Sequence, residues 1–591
     1  MYLLSRSMDK LSIEPLARTK VNMMVAPMAK VRVIIYLTVG ILCGFVKSAY
    51  VPEGAITNDY VHHDPVIYRP IKKGATNIGK GEGLPINSNS TSYFLVSIDT
   101  NKAIHAVDRR FLSVGLSAKT VAVRSLNAST GYNPNSVILQ TLFRGLAPSI
   151  LRVGGRSGDE VIFALNGSSN SIPHPWININ HFLTGEHWKS LHKFCLKSGA
   201  DLAFTLNVAL RKGDAWDPTN AKALLDFNAN LGYRVIWELG NEPALFKKNY
   251  HLRISARQLA KDFNTLRDIL SEDRYRFSNE LVGPDMDHLP ITHCGNAKTA
   301  TSEDFPTHTD YLRRFLNDAG DAINATTVHF YNLNSRSETI SVDNFTNPDT
   351  VNLMRCELRE FRKLMKDAKP TGARWLGETS TVAAGGFSGI SNRYVAGFII
   401  LHNLGVAAEM GISVFIYWDL INGPYSLLSS DDYTPTPLYW LCFLHKRLTG
   451  THVLSVSYTE DEKVTQTVKS ASYVHVFAHC TRVSPLYPAG AVTIIAINLH
   501  NDTDASLSLT GSLMNKNIDK YLLTAPEGNL TSSNILLNGY KLEMKNSTHF
   551  PDINPRPLPI GYPIVLPPRT YGFYVIKDAD ASVCRKHETK Y

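Results

Sequence analysis

Cysteine is scarce: there are seven in 591 residues. That density excludes a small secreted scaffold framed by disulfides. Charged residues make up 19% against 44% hydrophobic ones, which excludes a largely disordered chain. Long apolar runs are almost missing. The longest, VIIYLTVGILCGFV at 33–46, falls short of the roughly 20 residues that a membrane span needs. No G-x-S-x-G nucleophile elbow is present; GRSGD (155–159) has the wrong spacing. GATNIGKG (74–81) lacks the closing Ser/Thr of a phosphate loop and follows no apolar strand, so it reads as a plain loop. His181, His187 and His192 lack metal-ligand spacing and read as surface or interhelical histidines. No metal or cofactor is expected. Basic pairs such as Lys72–Lys73, Arg109–Arg110, Lys247–Lys248 and Arg313–Arg314 read singly as solvated faces, though Lys247–Lys248 matter more because they fall just after a candidate catalytic strand end. No basic stripe with interleaved aromatics marks a nucleic-acid surface.

What is present begins with the net charge of +9, which favours an acidic partner. Seven Lys/Arg against two Asp/Glu fall in residues 1–48, so only about +4 remains beyond them. Residues 1–48 read as a leader. From Met28, MAKVRVIIYLTVGILCGFVKSAY has the layout of a signal peptide, with cleavage after Ser48. An uncleaved type II anchor is the alternative. Eight N-x-S/T sequons, at Asn89, Asn127, Asn166, Asn324, Asn344, Asn501, Asn529 and Asn546, agree with a secretory route, secreted or lysosomal.

Residues 49–91 are polar and rich in Gly, Pro and Asn; this segment is expected to pack on a C-terminal sandwich. Eight short apolar runs then alternate with amphipathic stretches: SYFLVSI (92–98), SILRVGG (149–155), DLAFTLN (201–207), RVIWELGN (234–241), LVGPDM (281–286), TTVHFYN (326–332), RWLGETS (374–380) and SVFIYWDL (413–420). This rhythm predicts an α/β fold, a (β/α)8 TIM barrel over 92–450, closed by PLYWLCFLHKRLTG (437–450). A doubly wound sheet is disfavoured, because polar and acidic residues gather at the C-terminal ends of several strands, where a barrel builds its site. Short alternating strands over 451–591 predict an antiparallel β-sandwich.

The chemistry lies in two carboxylates in matched settings. WELGNEP (237–243) ends the fourth strand with Glu242, and WLGETS (375–380) ends the seventh with Glu378. In a barrel both ends point to one face, so the pair can flank a bound sugar. Retaining glycoside hydrolysis needs that arrangement, with the carboxyl groups roughly 5–5.5 Å apart. Glu238 is the rival acid: four residues earlier it keeps side-chain parity, but Glu242 lies nearer the rim.

With these motifs the chain resembles the heparanase family, endo-β-glucuronidases that cut heparan sulfate. The resemblance runs from about Tyr93 to Cys584 and includes LRVGG (151–155), AINLHN (496–501) and GFYVIKD (572–578). It implies Glu242 as acid/base and Glu378 as nucleophile, with Asn241 on the hydroxyl next to the anomeric carbon. It implies that Tyr331 orients the nucleophile, His329 lines the cleft and Arg336 meets a sulfate or carboxylate. SIDTN (97–101) matches the family's first-strand end, which puts Asp99, Thr100 and Asn101 in the uronate subsite. Gly385 and Tyr425 match positions that hold the uronate carboxylate. Cys480 and Cys584 match the family's disulfide; for Cys195, Cys294, Cys356 and Cys442 buried free thiols are the default. The implied partner is the glycan of heparan sulfate proteoglycans, with no nucleic acid, and with a membrane only through an uncleaved leader or the proteoglycan itself. An exo-β-glucuronidase and a silent heparan-sulfate-binding protein are the alternatives.

The chain departs from the vertebrate pattern in three places. Only about 45 residues separate Gly155 from Asp201, too few for a large excisable linker, so a single-chain enzyme is expected. Ala383 and Ala384 stand where that pattern has an aromatic residue and a glycine, which suggests a less constricted cleft. The loop 287–306 is longer and less basic.

Overall fold

A computed structural model describes residues 90–122, 131–164, 181–289, 308–368, 370, 372–461 and 472–585. The leader, the segment up to residue 89, the loop at 74–81 and most of the loop after the fifth barrel strand lie outside the described residues. No described helix is long and apolar enough to cross a membrane.

Eight parallel strands pair in chain order and close into a barrel. They are Leu112–Ser117, Ser149–Gly154, Ala200–Leu206, Val235–Leu239, Glu280–Met286, Ala325–Asn334, Ala373–Ala383 and Val414–Tyr417. Seven coincide with expected runs. The first does not. The expected first strand, 92–98, belongs to Ser90–Ala106, which lies in the other sheet between Thr449–Glu460 and Thr503–Leu509. The physical reason is visible in its side chains. Along Ser92–Thr100 buried and exposed residues alternate, the pattern of a sheet wetted on one face. Leu112–Leu116 is buried throughout, as a barrel strand covered on both faces must be.

The second sheet has eleven strands and is mostly antiparallel; Ser90–Ala106 with Thr503–Leu509 is a parallel pair. Its central strands, Val474–Thr481, Val492–Asn498 and Thr570–Ile576, are buried on both faces. Val476, Ile494 and Tyr574 face one apolar cluster; Phe477, Ile495 and Phe573 face the larger core shared with the barrel. Period-two alternation thus serves two cores from one strand. The helix Ala396–Glu409 fills the gap between barrel and sheet, and all but its last residue is buried. Close approach requires Gly405, where a Cβ would stand 2.3 Å from the Phe477 ring.

Cys480 and Cys584 form a disulfide, and Cys195 and Cys442 are buried free thiols. Cys356 is disulfide-bonded, which corrects the free-thiol expectation: spacing along the chain does not reveal such pairing. Cys294 lies outside the described residues. The three histidines singled out above do not converge. His187 shares a capping box with Thr184, and His192 stacks on Tyr233.

Candidate active site

The barrel interior changes character within one side-chain step. Ile150, Ala203, Ile236, Val282, Ala325, Trp375, Val414 and Ile416 form a separate apolar plug. Two residues further along the strands, on the same face, come Arg152, Thr205, Glu238, Thr327 and Gly377. Fully buried Arg152 organises this polar layer. Its Nε donates to Glu238 Oε2 at 2.9 Å, Nη1 to Glu378 Oε2 at 3.1 Å and Nη2 to Asn241 Oδ1 at 2.9 Å. Asp285 Oδ2 lies 3.4 Å from Nη2. One guanidinium therefore serves three carboxylates, as its five N–H groups permit. Glu238 also accepts from Thr205 Oγ1 at 2.6 Å.

Above this layer sit the two expected carboxylates. One oxygen of each and a His329 ring nitrogen lie within 4.8 Å of one another. The side chain of Glu242 is 18% exposed and that of Glu378 10%, whereas Glu238 is at 0%, out of reach of substrate. Glu242 lies just past the fourth strand with φ 53° and ψ 63°, a left-handed conformation that costs a non-glycine residue about 1–2 kcal/mol. Its backbone N–H donates to the Asp285 carbonyl at 2.9 Å, and Pro243 opens the short helix that follows. Glu378 is held from two sides: Tyr331 Oη donates to Oε1 at 2.7 Å and Arg152 to Oε2. His329 bridges Glu242 Oε1 (3.0 Å) and Asp285 Oδ1 (3.3 Å). Trp418 floors the cleft. Gly155, at φ 70°, makes room for it: a Cβ there would stand 2.6 Å from the indole and 3.6 Å from Glu378 Oε2.

The electrostatics of the site act on Glu242 and its neighbours. Burial raises the Glu242 carboxyl above the ordinary value; the hydrogen bond and charge of His329 oppose this, and the Glu378 charge adds to it. Burial opposes a charged His329, but Glu378, Asp285 and Glu242 outweigh it and push the imidazole up to about 10. Burial likewise opposes the Asp285 carboxylate, and Arg152 and His329 more than offset it, so its pKa is lowered. Burial pushes Glu238 up to about 7 despite Arg152.

Several expected site residues gather here. Asn241, His329 and Tyr331 lie beside the carboxylates. The Tyr425 ring is 6.4 Å from that of Tyr331 and packs against Gly386, next to exposed Gly385 in the turn after the seventh strand. Arg336 is exposed just past the sixth strand. Asp99, Thr100 and Asn101 are not at the cleft. They form an irregularity in the second sheet, where Ser582 Oγ donates to the Thr100 carbonyl and Asn101 Oδ1, both at 3.4 Å. The error follows from the misplaced first strand. The true first strand ends at Ser117, whose hydroxyl lies 2.7 Å from Ser157 Oγ; Lys119 follows, exposed and close enough to act on the Asp419 carboxylate. Sequence reasoning also passed over Arg152, Asp285 and Trp418. Arg152 carried a usable signal, since it shares strand parity with the plug below it.

A family model described as "Glycosyl hydrolase family 79, N-terminal domain" matches residues 126–405. The heparanase of Bos taurus is 32% identical over 530 residues, covering 82% of this chain and 91% of the relative. The chain belongs to the heparanase family, glycosyl hydrolase family 79. It is a glycoside hydrolase. Another relative is the inactive heparanase-2 of Homo sapiens, 31% identical over 411 residues, 69% of this chain and 66% of that one. Among solved structures, a 4-O-α-L-rhamnosyl-β-D-glucuronidase from Fusarium oxysporum superposes with a TM-score of 0.57, covering 81% of this chain and all of that one. At 15% identity that likeness speaks for the fold alone.

Proposed function

We propose that the chain is a retaining endo-β-glucuronidase that hydrolyses glucuronic acid–glucosamine linkages in heparan sulfate. The observation that carries this reading is the pair of cleft carboxylates, one oxygen of each within 4.8 Å of the other. So close an approach suits direct attack by a carboxylate better than the wider spacing, roughly 6.5–9.5 Å, of an inverting pair. Glu378, held in place by hydrogen bonds from Arg152 and Tyr331, attacks the anomeric carbon. Glu242, whose carboxyl burial and the Glu378 charge hold above its ordinary value against the pull of His329, gives its proton to the leaving oxygen. The resulting glycosyl ester removes that charge. Glu242 then ionises more readily and takes a proton from the water that cleaves the ester. Asn241 holds the hydroxyl next to the anomeric carbon. Tyr425 and the Gly385 N–H meet the uronate carboxylate, and Arg336 reaches a flanking sulfate or carboxylate from the rim. A secretory destination accords with sequons at exposed Asn324, Asn501, Asn529 and Asn546.

The inactive relative gives the silent-binder reading one point of support. Both carboxylates and their hydrogen-bonded holders weigh against it. Sizing the products from heparan sulfate tests the proposal: shortened oligosaccharides are expected. Release of single glucuronic acid units would establish exo action instead, and an uncut chain would favour the silent binder. Glu378→Gln should abolish cleavage with the fold intact; retained activity would end the double-displacement scheme.

A further inference from the structure

A large open cavity lies remote from these carboxylates. The helix Pro348–Ala368 carries Arg355, Arg359, Arg362, Lys363 and Lys366. At 3.6 residues per turn these five span an arc of about 100° and about 16 Å of helix axis. Arg374, at the start of the seventh barrel strand, joins them, and the six line an open cavity of about 720 Å³. None of the described lining residues is acidic. Arg355 pairs with Glu409 at 2.8 Å; among the described residues the other five make no ion pair. Burial, then the Arg362 charge, lowers the Arg374 guanidinium; burial, then Arg374 and Arg362, lowers neighbouring His105. Such self-repulsion destabilises a fold unless an anion relieves it. Arg374 precedes Glu378 on its strand, so the cavity opens toward the N-terminal end of the barrel, away from the catalytic face.

We propose that this basic groove is a second, non-catalytic site that anchors a sulfated, uronate-containing polysaccharide. The sign of the ligand's charge stands on the groove alone; its being a glycan rests on the reading of the cleft. Guanidinium forks suit planar or tetrahedral oxyanions, and four of the six cations are Arg. A single-stranded nucleic acid would want aromatic stacking platforms, and none of the described lining residues is aromatic. A flat bilayer does not follow a concave surface. The basic stripe escaped the sequence analysis because its residues are spread over three helical turns rather than run together.

The test uses the full chain carrying Glu378→Gln, so that the probe stays intact, with and without R359E/R362E/K366E at three exposed positions. Binding to immobilised heparin is measured over a range of salt concentrations. The triple change should weaken binding at least about tenfold near physiological salt, and should flatten the slope of log K against log salt by about 2. R359Q/R362Q/K366Q, matched in melting temperature to the parent, should show the same trend and separates lost contacts from misfolding. Unchanged binding in both variants would overturn the site. Equal binding of single-stranded DNA or of anionic phospholipid vesicles, lost with the same substitutions, would overturn the polysaccharide assignment. With Glu378 restored, the triple variant should raise KM for long chains and leave kcat/KM for a cleft-length oligosaccharide unchanged. If heparan sulfate is not cut at all, the reading of the cleft fails while the heparin measurement still decides the groove.

Discussion

At the scale of single residues, the site depends on how one buried cation is shared. Arg152 holds Glu238, Glu378 and Asp285 together, and it has no exposure. Arg152→Leu should therefore cost about 3–5 kcal/mol, because it strands buried carboxylates without a counterion. Chemical denaturation measures this, and a loss under 1 kcal/mol would show that the carboxylates are neutral in the native protein. Glu242 makes a different prediction. Its raised pKa means that the protonated acid persists above the ordinary value of 4.5. The alkaline limb of kcat/KM should then lie above pH 4.5 and vanish in Glu242→Ala. That variant should lose most activity on a natural glycan and far less on an aryl glucuronide whose leaving group needs no proton. The two acids were legible in the sequence because each sits in a strand-end motif. Arg152 was not, because an arginine in an apolar run looks like an interruption until the strand's parity is counted.

At the scale of elements, the helix Ala396–Glu409 is the joint between barrel and sheet. His402 on this helix and His475 on the sheet face each other with ring centroids 4.5 Å apart, both buried. Burial lowers both pKa values, and Arg355 adds to it; His475 is held near 3. A histidine with a lowered folded pKa contributes stability that is fully present above its unfolded value of about 6.5 and is lost as pH falls below that. Thermal unfolding should accordingly move to lower temperature between pH 6.5 and 4.5, and His475→Gln should flatten that part of the profile. An unchanged slope in the variant would place the acid sensitivity elsewhere. Elements also show where reading the sequence failed. Seven barrel strands announced themselves as apolar runs followed by polar residues. The eighth, Leu112–Ser117, is six residues long and lies close behind a strand with much stronger alternation. Strict alternation marks a half-wetted sheet and continuous burial marks a barrel, so the stronger pattern was the wrong one. Asp99, Thr100 and Asn101 followed that strand away from the cleft.

At the scale of the molecule, the misread strand becomes structural evidence for one cooperative fold. Barrel and sheet lie in a single compact unit and share an apolar core. Ser90–Ala106 enters the sheet before the barrel begins, and it is paired on both sides by strands that follow the barrel, antiparallel to Thr449–Glu460 and parallel to Thr503–Leu509. The barrel is thus enclosed in sequence by its own neighbour. The disulfide Cys480–Cys584 closes a separation of 104 residues beside the second sheet and adds up to ~4.7 kcal/mol in the chain-entropy picture. A chain begun at Val107 would retain every barrel strand and both Cys480 and Cys584, yet lose the strand that joins the two parts of the sheet. Two rows of backbone donors and acceptors would then be unpaired, and Phe94, Val96 and Ile98 would leave a gap in the sheet's core. Such a chain should fail to accumulate as soluble protein, while one begun a few residues before Ser90 should unfold in a single calorimetric transition. Two separated transitions in that longer chain would mean that barrel and sheet are independent. In that case the loss of Ser90–Ala106 should spare the barrel and, with it, the geometry of Glu242 and Glu378.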